Sequence, residues 1–128
     1  MAKEQGEFFQ SPVEMLDLLE ILHQLKEEGA MRITIHGSIV TGKGPNHDDI
    51  DLYVQFPKEL IRRWDRMGII ACSIRRGRSG TCFDIYPDFK PFEQSPFNKE
   101  DKRNAVIILL VAKDEIIDVL RNRFVIHY

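Results

Sequence analysis

Apolar and polar positions in this chain alternate with two different periods, and the changes of period mark out its elements. In SPVEMLDLLEILHQLKEEG, Met15, Leu18, Leu19, Leu22 and Leu25 recur at three- and four-residue spacing, which puts them on one face of a helix. Ser11 is a capping residue, Pro12 suits a first turn that needs no N–H, and Glu14 completes a capping box. With Gly29 as a stop, the spacing predicts an amphipathic helix over 12–28. The period then drops to two. Met31, Ile33 and Ile35 alternate with Arg32, Thr34 and His36, predicting a strand over 31–36. The clearest strand spans 49–56, with Ile50, Leu52 and Val54 on one face and Asp49, Asp51, Tyr53 and Gln55 on the other.

Later segments follow the same logic. Pro57 opens a short helix to about residue 67, and Gly68 ends it. A strand is expected over 69–75, a Gly- and Ser-rich turn over 76–80, and a strand over 81–86 with Phe83 and Ile85 opposed to Cys82, Asp84 and Tyr86. Residues 87–98 hold three prolines and the phenylalanines Phe89, Phe92 and Phe97, a composition suited to an ordered loop packed by its own aromatics. A buried strand is expected over 105–111 and a last helix, capped by Asp114, to about residue 123. Between Gly37 and Asp48 glycine and proline predict a loop, with room for a short helix after Ser38. The class is α/β or α+β: a single mixed β-sheet of about five strands flanked by helices. Residues 1–10 form a flexible N-terminal lead, and 11–128 form one domain, a size the 128-residue length supports.

Composition narrows the function classes. A formal net charge of −2 does not announce a nucleic-acid partner. Charge is uneven, however: Lys58, Arg62, Arg63, Arg66, Arg75, Arg76 and Arg78 face only Glu59 and Asp65 within 58–80. The two cysteines, Cys72 and Cys82, lack metal-ligand spacing and fit free thiols in a reducing compartment. The polar start has no apolar signal core, and no apolar run approaches the roughly 20 residues of a membrane span. A cytoplasmic location without a membrane partner is the expectation.

Candidate chemistry centres on the carboxylates. Residues two apart on a strand share a face with about 6.6 Å of rise, so Asp49 and Asp51 are neighbours by construction. At that separation they repel by roughly 2.5 kcal/mol at an effective dielectric of 20, a cost that a divalent cation bridging to substrate phosphates removes. If the strand carrying Asp84 lies beside theirs with apolar faces aligned, all three carboxylates converge. Ahead of the pair, Gly37 and Ser38 stand at a strand end, where a glycine permits close backbone approach and a hydroxyl can hold phosphate oxygens.

The stretch GSIVTGKGPNHDDIDLYV resembles the signature of the DNA polymerase beta-like nucleotidyltransferase superfamily, especially its minimal members: a strand, Gly-Ser, ten residues, then Asp-x-Asp on the next strand. The resemblance covers about residues 30–86. It implies transfer of a nucleoside monophosphate from a nucleoside triphosphate, such as ATP, to an acceptor hydroxyl on a protein, an RNA end or a small molecule. It also implies Mg²⁺, two ions once nucleotide is bound, held by Asp49, Asp51 and Asp84. Asp84 would in addition activate the acceptor, while Gly37, Ser38 and Lys43 bind the nucleotide. The chain departs from the pattern after Gly-Ser, where Ile39, Val40 and Thr41 replace the usual cation and Lys43 is the first. Either triphosphate binding is weaker, or Lys43 and a downstream arginine substitute. The helical substrate domain of larger relatives does not fit this length, so the chain is expected to borrow that surface from a helical protein partner or a second copy in a homodimer, or to do without it. The alternative is a catalytically inactive nucleotide- or partner-binding module of the same fold, an antitoxin-like regulator.

Other residues read more plainly. His36 reads as a polar residue at a strand end and His47 as a loop residue, neither with a partner at ligand spacing, and Ser38 lies in no nucleophile elbow. The glycines of GSIVTGKG do not make a P-loop. Tyr53, Trp64 and the loop phenylalanines could stack a base, but such residues more often pin a loop to its own domain. The arginine segment divides evenly between an acceptor-binding surface and a solvated face.

Overall fold

The computed structural model describes residues 9–37, 49–66, 73–97, 99, 102 and 106–109. Ser38, Lys43, His47 and Cys72, the expected strand residues 69–72, the short helix after Ser38 and the helix from Asp114 lie outside the described residues. The elements run α1 (Pro12–Glu27), β1 (Arg32–His36), β2 (Asp49–Gln55), α2 (Lys58–Arg66), β3 (Ser73–Arg76), β4 (Cys82–Asp88), a 3₁₀ turn (Phe92–Gln94) and β5 (Val106–Leu109). They form a mixed α+β domain around one mixed sheet of order β3-β4-β2-β1-β5. β2 and β4 run parallel, and the remaining neighbours are antiparallel.

The capping signals act as expected. Ser11 Oγ accepts from the Glu14 N–H at 3.2 Å, which satisfies one orphan donor of the α1 N-terminus, while Glu14 reaches back one residue past the cap to accept from the Gln10 N–H at 3.1 Å. The apolar stripe of α1 is fully buried: Leu18, Leu22 and Leu25 pack with Ile33, Ile35, Ile50, Leu52, Val54, Phe83 and Ile85 from the sheet. Register explains the fit. Ile33 pairs with Val54, Ile35 with Leu52, Ile50 with Phe83 and Leu52 with Ile85, so the apolar residues of three strands share one face. Leu60, Ile61 and Trp64 of α2 close the same core, with Trp64 edge-on to Phe56 at 4.7 Å.

β4 runs through Pro87, two residues beyond the expected end. The Phe56 N–H donates to the Asp88 carbonyl at 2.8 Å, so Pro87 turns its backbone toward β3. There the last described pair is Ser73 with Ile85, and among the described residues no ladder bond needs the donor that Pro87 lacks.

The second face of the sheet differs from the simple alternation. Thr34, His36 and Tyr53, all on the polar side of the pattern, are buried to within 3% of full exclusion. The segment after β4 folds over them. Phe92 and Phe97 lie 5.0 and 4.3 Å from the His36 ring, and Phe92 meets Tyr53 edge-on at 5.3 Å. The expected ordered aromatic loop is therefore a second, smaller core. No described helix is long and apolar enough to cross a membrane.

Candidate metal centre

The face opposite the helices is acidic at one end and aromatic at the other. Asp49 opens β2, and Asp51 follows on the same face. Parallel pairing sets Asp51 directly beside Asp84 and Asp49 beside Cys82. One carboxylate oxygen from each of Asp49, Asp51 and Asp84 lies within 4.8 Å of the other two, and all three residues are partly exposed. The structure thus brings together the three carboxylates singled out from the sequence. Core alignment is the cause: placing Ile50 against Phe83 and Leu52 against Ile85 leaves Asp51 and Asp84 no choice but to stand side by side.

These oxygens suit a hard divalent cation. Mg²⁺ holds oxygens at about 2.0–2.1 Å in an octahedron, which sets neighbouring ligands about 3 Å apart and opposite ones about 4.2 Å apart. The donor set is all carboxylate, which suits hard ions such as Mg²⁺, Ca²⁺ or Mn²⁺ over the softer metals that take nitrogen or sulfur.

Gly37, at the end of β1, has φ +85°, and a Cβ built there would overlap the Asp51 carboxylate. The backbone conformation favours glycine here, and any side chain would displace the Asp51 carboxylate from its place. His36, one residue earlier, pairs across the strands with Asp51. It is a buried residue beneath the rings of Tyr86, Phe92 and Phe97 rather than a polar strand end. Alternation places His36 on the acidic face, but only the register shows that its neighbour is Asp51.

Tyr53, next along that face, is no base-stacking platform. It is buried, and its hydroxyl donates to the Lys90 carbonyl at 2.8 Å. Burial, then the charge and hydrogen bonding of Asp88, then Glu93, raise its pKa well above the usual phenol range. It stays a neutral donor that anchors the segment after β4. Gln55 helps by donating to the Phe89 carbonyl at 3.3 Å.

A second carboxylate cluster fixes β4 from the other side. The β3–β4 turn closes through Gly77 and Thr81 and docks on the first turns of α1. Asp17 accepts from the Ser79 N–H at 2.9 Å and Oγ at 2.7 Å, and the Thr81 hydroxyl donates to Glu14. Burial alone would raise the Asp17 pKa. The hydrogen bonds from Ser79 and Arg78 and the Arg78 charge outweigh it and hold the pKa below the usual carboxylate value. Gly77 leaves room for this carboxylate, since a Cβ there would overlap it.

Comparison with protein-family models, curated proteins and solved structures finds no match to this chain.

Proposed function

We propose that this chain is a Mg²⁺-dependent nucleotidyltransferase domain of polymerase beta-like fold, transferring a nucleoside monophosphate from a nucleoside triphosphate to an acceptor hydroxyl. The observation that carries this reading is the convergence of Asp84 with Asp49 and Asp51 across the parallel β2–β4 pair. Three carboxylates on their own repel a triphosphate. The site becomes attractive to that ligand only with cations between them, which is the economy of a metal–nucleotide site.

In this reading Asp49 and Asp51 would hold the cation from alternate positions of one strand, and Asp84 would hold it from the next strand. When bound, Mg²⁺ neutralises triphosphate charge and steadies the pyrophosphate that leaves. Asp84 also accepts the proton of the acceptor hydroxyl. The acceptor oxygen forms its bond to the α-phosphorus as the bond to the pyrophosphate oxygen breaks. Gly37 keeps the β1 end tight against Asp51, and Ser38 and Lys43 are the nearest sequence candidates for the triphosphate tail. The packed core beneath β2 and β4 supplies rigidity, so catalysis is mainly positioning and electrostatics.

The test is label transfer from each α-labelled nucleoside triphosphate with Mg²⁺, paired with calorimetric titration of Mg²⁺–nucleotide. Asp49→Asn, Asp51→Asn and Asp84→Asn are each expected to lower transfer at least about a hundred-fold, in line with the sensitivity of metal sites to their supporting groups. Nucleotide binding that ignores all three substitutions, with no label transferred, rejects the enzyme. That result favours the inactive partner-binding module, for which the missing cation after Gly37-Ser38 is the supporting feature.

A further inference from the structure

The cations crowded into residues 58–80 separate into two groups in the fold. Those of β3 and its turn are engaged. Arg75 donates to the Glu28 carboxylate at 2.9 and 3.0 Å and to Gln24 at 3.2 Å, while Arg76 donates to the Gly80 carbonyl at 3.1 Å. Those of α2 make no hydrogen bond of this kind among the described residues. Leu60, Ile61 and Trp64 turn to the core, so Lys58, Arg62, Arg63 and Arg66 are all exposed. None of the four makes an ion pair among the described residues.

A solvated helix face commonly mixes signs at four-residue spacing, where opposite charges help and like charges cost. Here Lys58, Arg62 and Arg66 put like charges at two successive four-residue steps. The row continues off the helix. Lys58 Nζ lies 5.2 Å from the centroid of the Phe89 ring, and Lys90 Nζ lies 5.9 Å from the same ring. Unlike Phe92, Phe89 is only half-buried, and Lys90 is exposed. The result is a row of cations about 12 Å long on α2, leading to an aromatic ring flanked by two ammonium groups.

We infer that this surface binds single-stranded nucleic acid, with phosphates along Lys58, Arg62, Arg66 and Lys90 and a base against Phe89. Unpaired cations along one line match a phosphate backbone. A partly exposed ring among them supplies the stacking platform that single-strand sites combine with such a track. The chain as a whole is negative, so the attraction belongs to this surface and not to the net charge. Binding here needs no metal and does not depend on the transferase reading.

The experiment is fluorescence anisotropy of a labelled RNA of about 12 nucleotides, titrated with the full chain in EDTA without nucleoside triphosphate. A DNA of the same sequence and its duplex are run in parallel. Four phosphate contacts predict a log–log salt slope of about −3, or a roughly fifty-fold loss of affinity between about 50 and 200 mM salt. The paired change Lys58→Glu with Arg62→Glu is expected to weaken binding at least about ten-fold and to halve the slope. Phe89→Leu, which keeps an apolar side chain, is expected to weaken single strands and leave duplex binding unchanged. Lys99→Glu makes the same kind of charge change at an exposed lysine that is not a member of the row, and Asp51→Asn tests the acidic centre; both should bind as the parent does. RNA binding above DNA would identify contacts to the 2′-hydroxyl, and equal binding would assign recognition to backbone and bases alone; either fits. Binding that does not depend on salt, a Lys99→Glu effect as large as the paired change, or preference for the duplex would overturn the inference.

Discussion

At the residue scale, Gly37 and the three carboxylates make one unit. A methyl group at Gly37 meets the Asp51 carboxylate, and the left-handed backbone at φ +85° disfavours any side chain. Gly37→Ala is expected to cost about 1–3 kcal/mol in urea denaturation and to push Asp51 away from Asp84. Mg²⁺ binding should therefore fall by more than the stability loss alone explains. Crowding of the carboxylates makes an opposite prediction for the metal-free protein. Two unit charges 4.8 Å apart repel by about 0.9 kcal/mol in water and about 3.5 kcal/mol at an effective dielectric of 20. Asp84→Asn should thus leave the melting temperature in EDTA unchanged or raised, while removing the response to Mg²⁺. A clear drop in EDTA would show that Asp84 serves the fold instead. Sequence alone showed that Asp49 and Asp51 share a face, because strand pleating requires it. It could not show that Gly37 abuts Asp51, because that contact depends on the β1–β2 register.

At the element scale, the β3–β4 turn is tied to α1 through Asp17, which joins residues far apart in sequence. Removing the acceptor in Asp17→Ala leaves the Ser79 N–H and hydroxyl without their shared partner, at a cost of about 2–3 kcal/mol. The pH dependence has a definite sign. The folded pKa of Asp17 lies below its ordinary value of 3.8, so the unfolded chain takes up the proton first as pH falls. The stabilisation is complete above the unfolded pKa and is lost as pH drops through the folded one. Urea midpoints between about pH 2 and pH 6 should fall less steeply for Asp17→Asn than for the parent; equal slopes would deny the shift. The α1 helix and its cap were legible from spacing and residue type, since both are local. The turn's docking was not, because Asp17 occupies an ordinary polar helix position in the sequence. The aromatic cover had a partial signal in the three phenylalanines after β4, but nothing local indicated that it would bury His36 and Thr34.

For the whole molecule, the acidic centre lies where two differently covered zones of one sheet face meet. The aromatic segment covers His36 and Tyr53, while Asp49, Asp51 and Asp84 stay partly open. A ligand that binds only the folded state stabilises it in proportion to occupancy. Mg²⁺ with a nucleoside triphosphate at about a hundred times its Kd should add about 2.7 kcal/mol to stability. A thermal melt with Mg²⁺ alone, nucleotide alone and both together checks this, and a gain that requires both is the expected outcome.

Taken by itself, the sequence determined a first helix over 12–28, found at Pro12–Glu27, the alternating strands, the class of one mixed sheet with helices, and the shared face of Asp49 and Asp51. These follow from periods of 3.6 and 2 and from capping chemistry, which act over a few neighbouring residues. Only the tertiary structure decided that β4 lies parallel to β2 with Asp84 beside Asp51, that Gly37 closes on that carboxylate, and that the arginines of α2 make no ion pair among the described residues while Arg75 and Arg76 of β3 are engaged. Strand order and register come from packing one apolar face against α1 and α2, and that fit is a property of the assembled core rather than of any single segment.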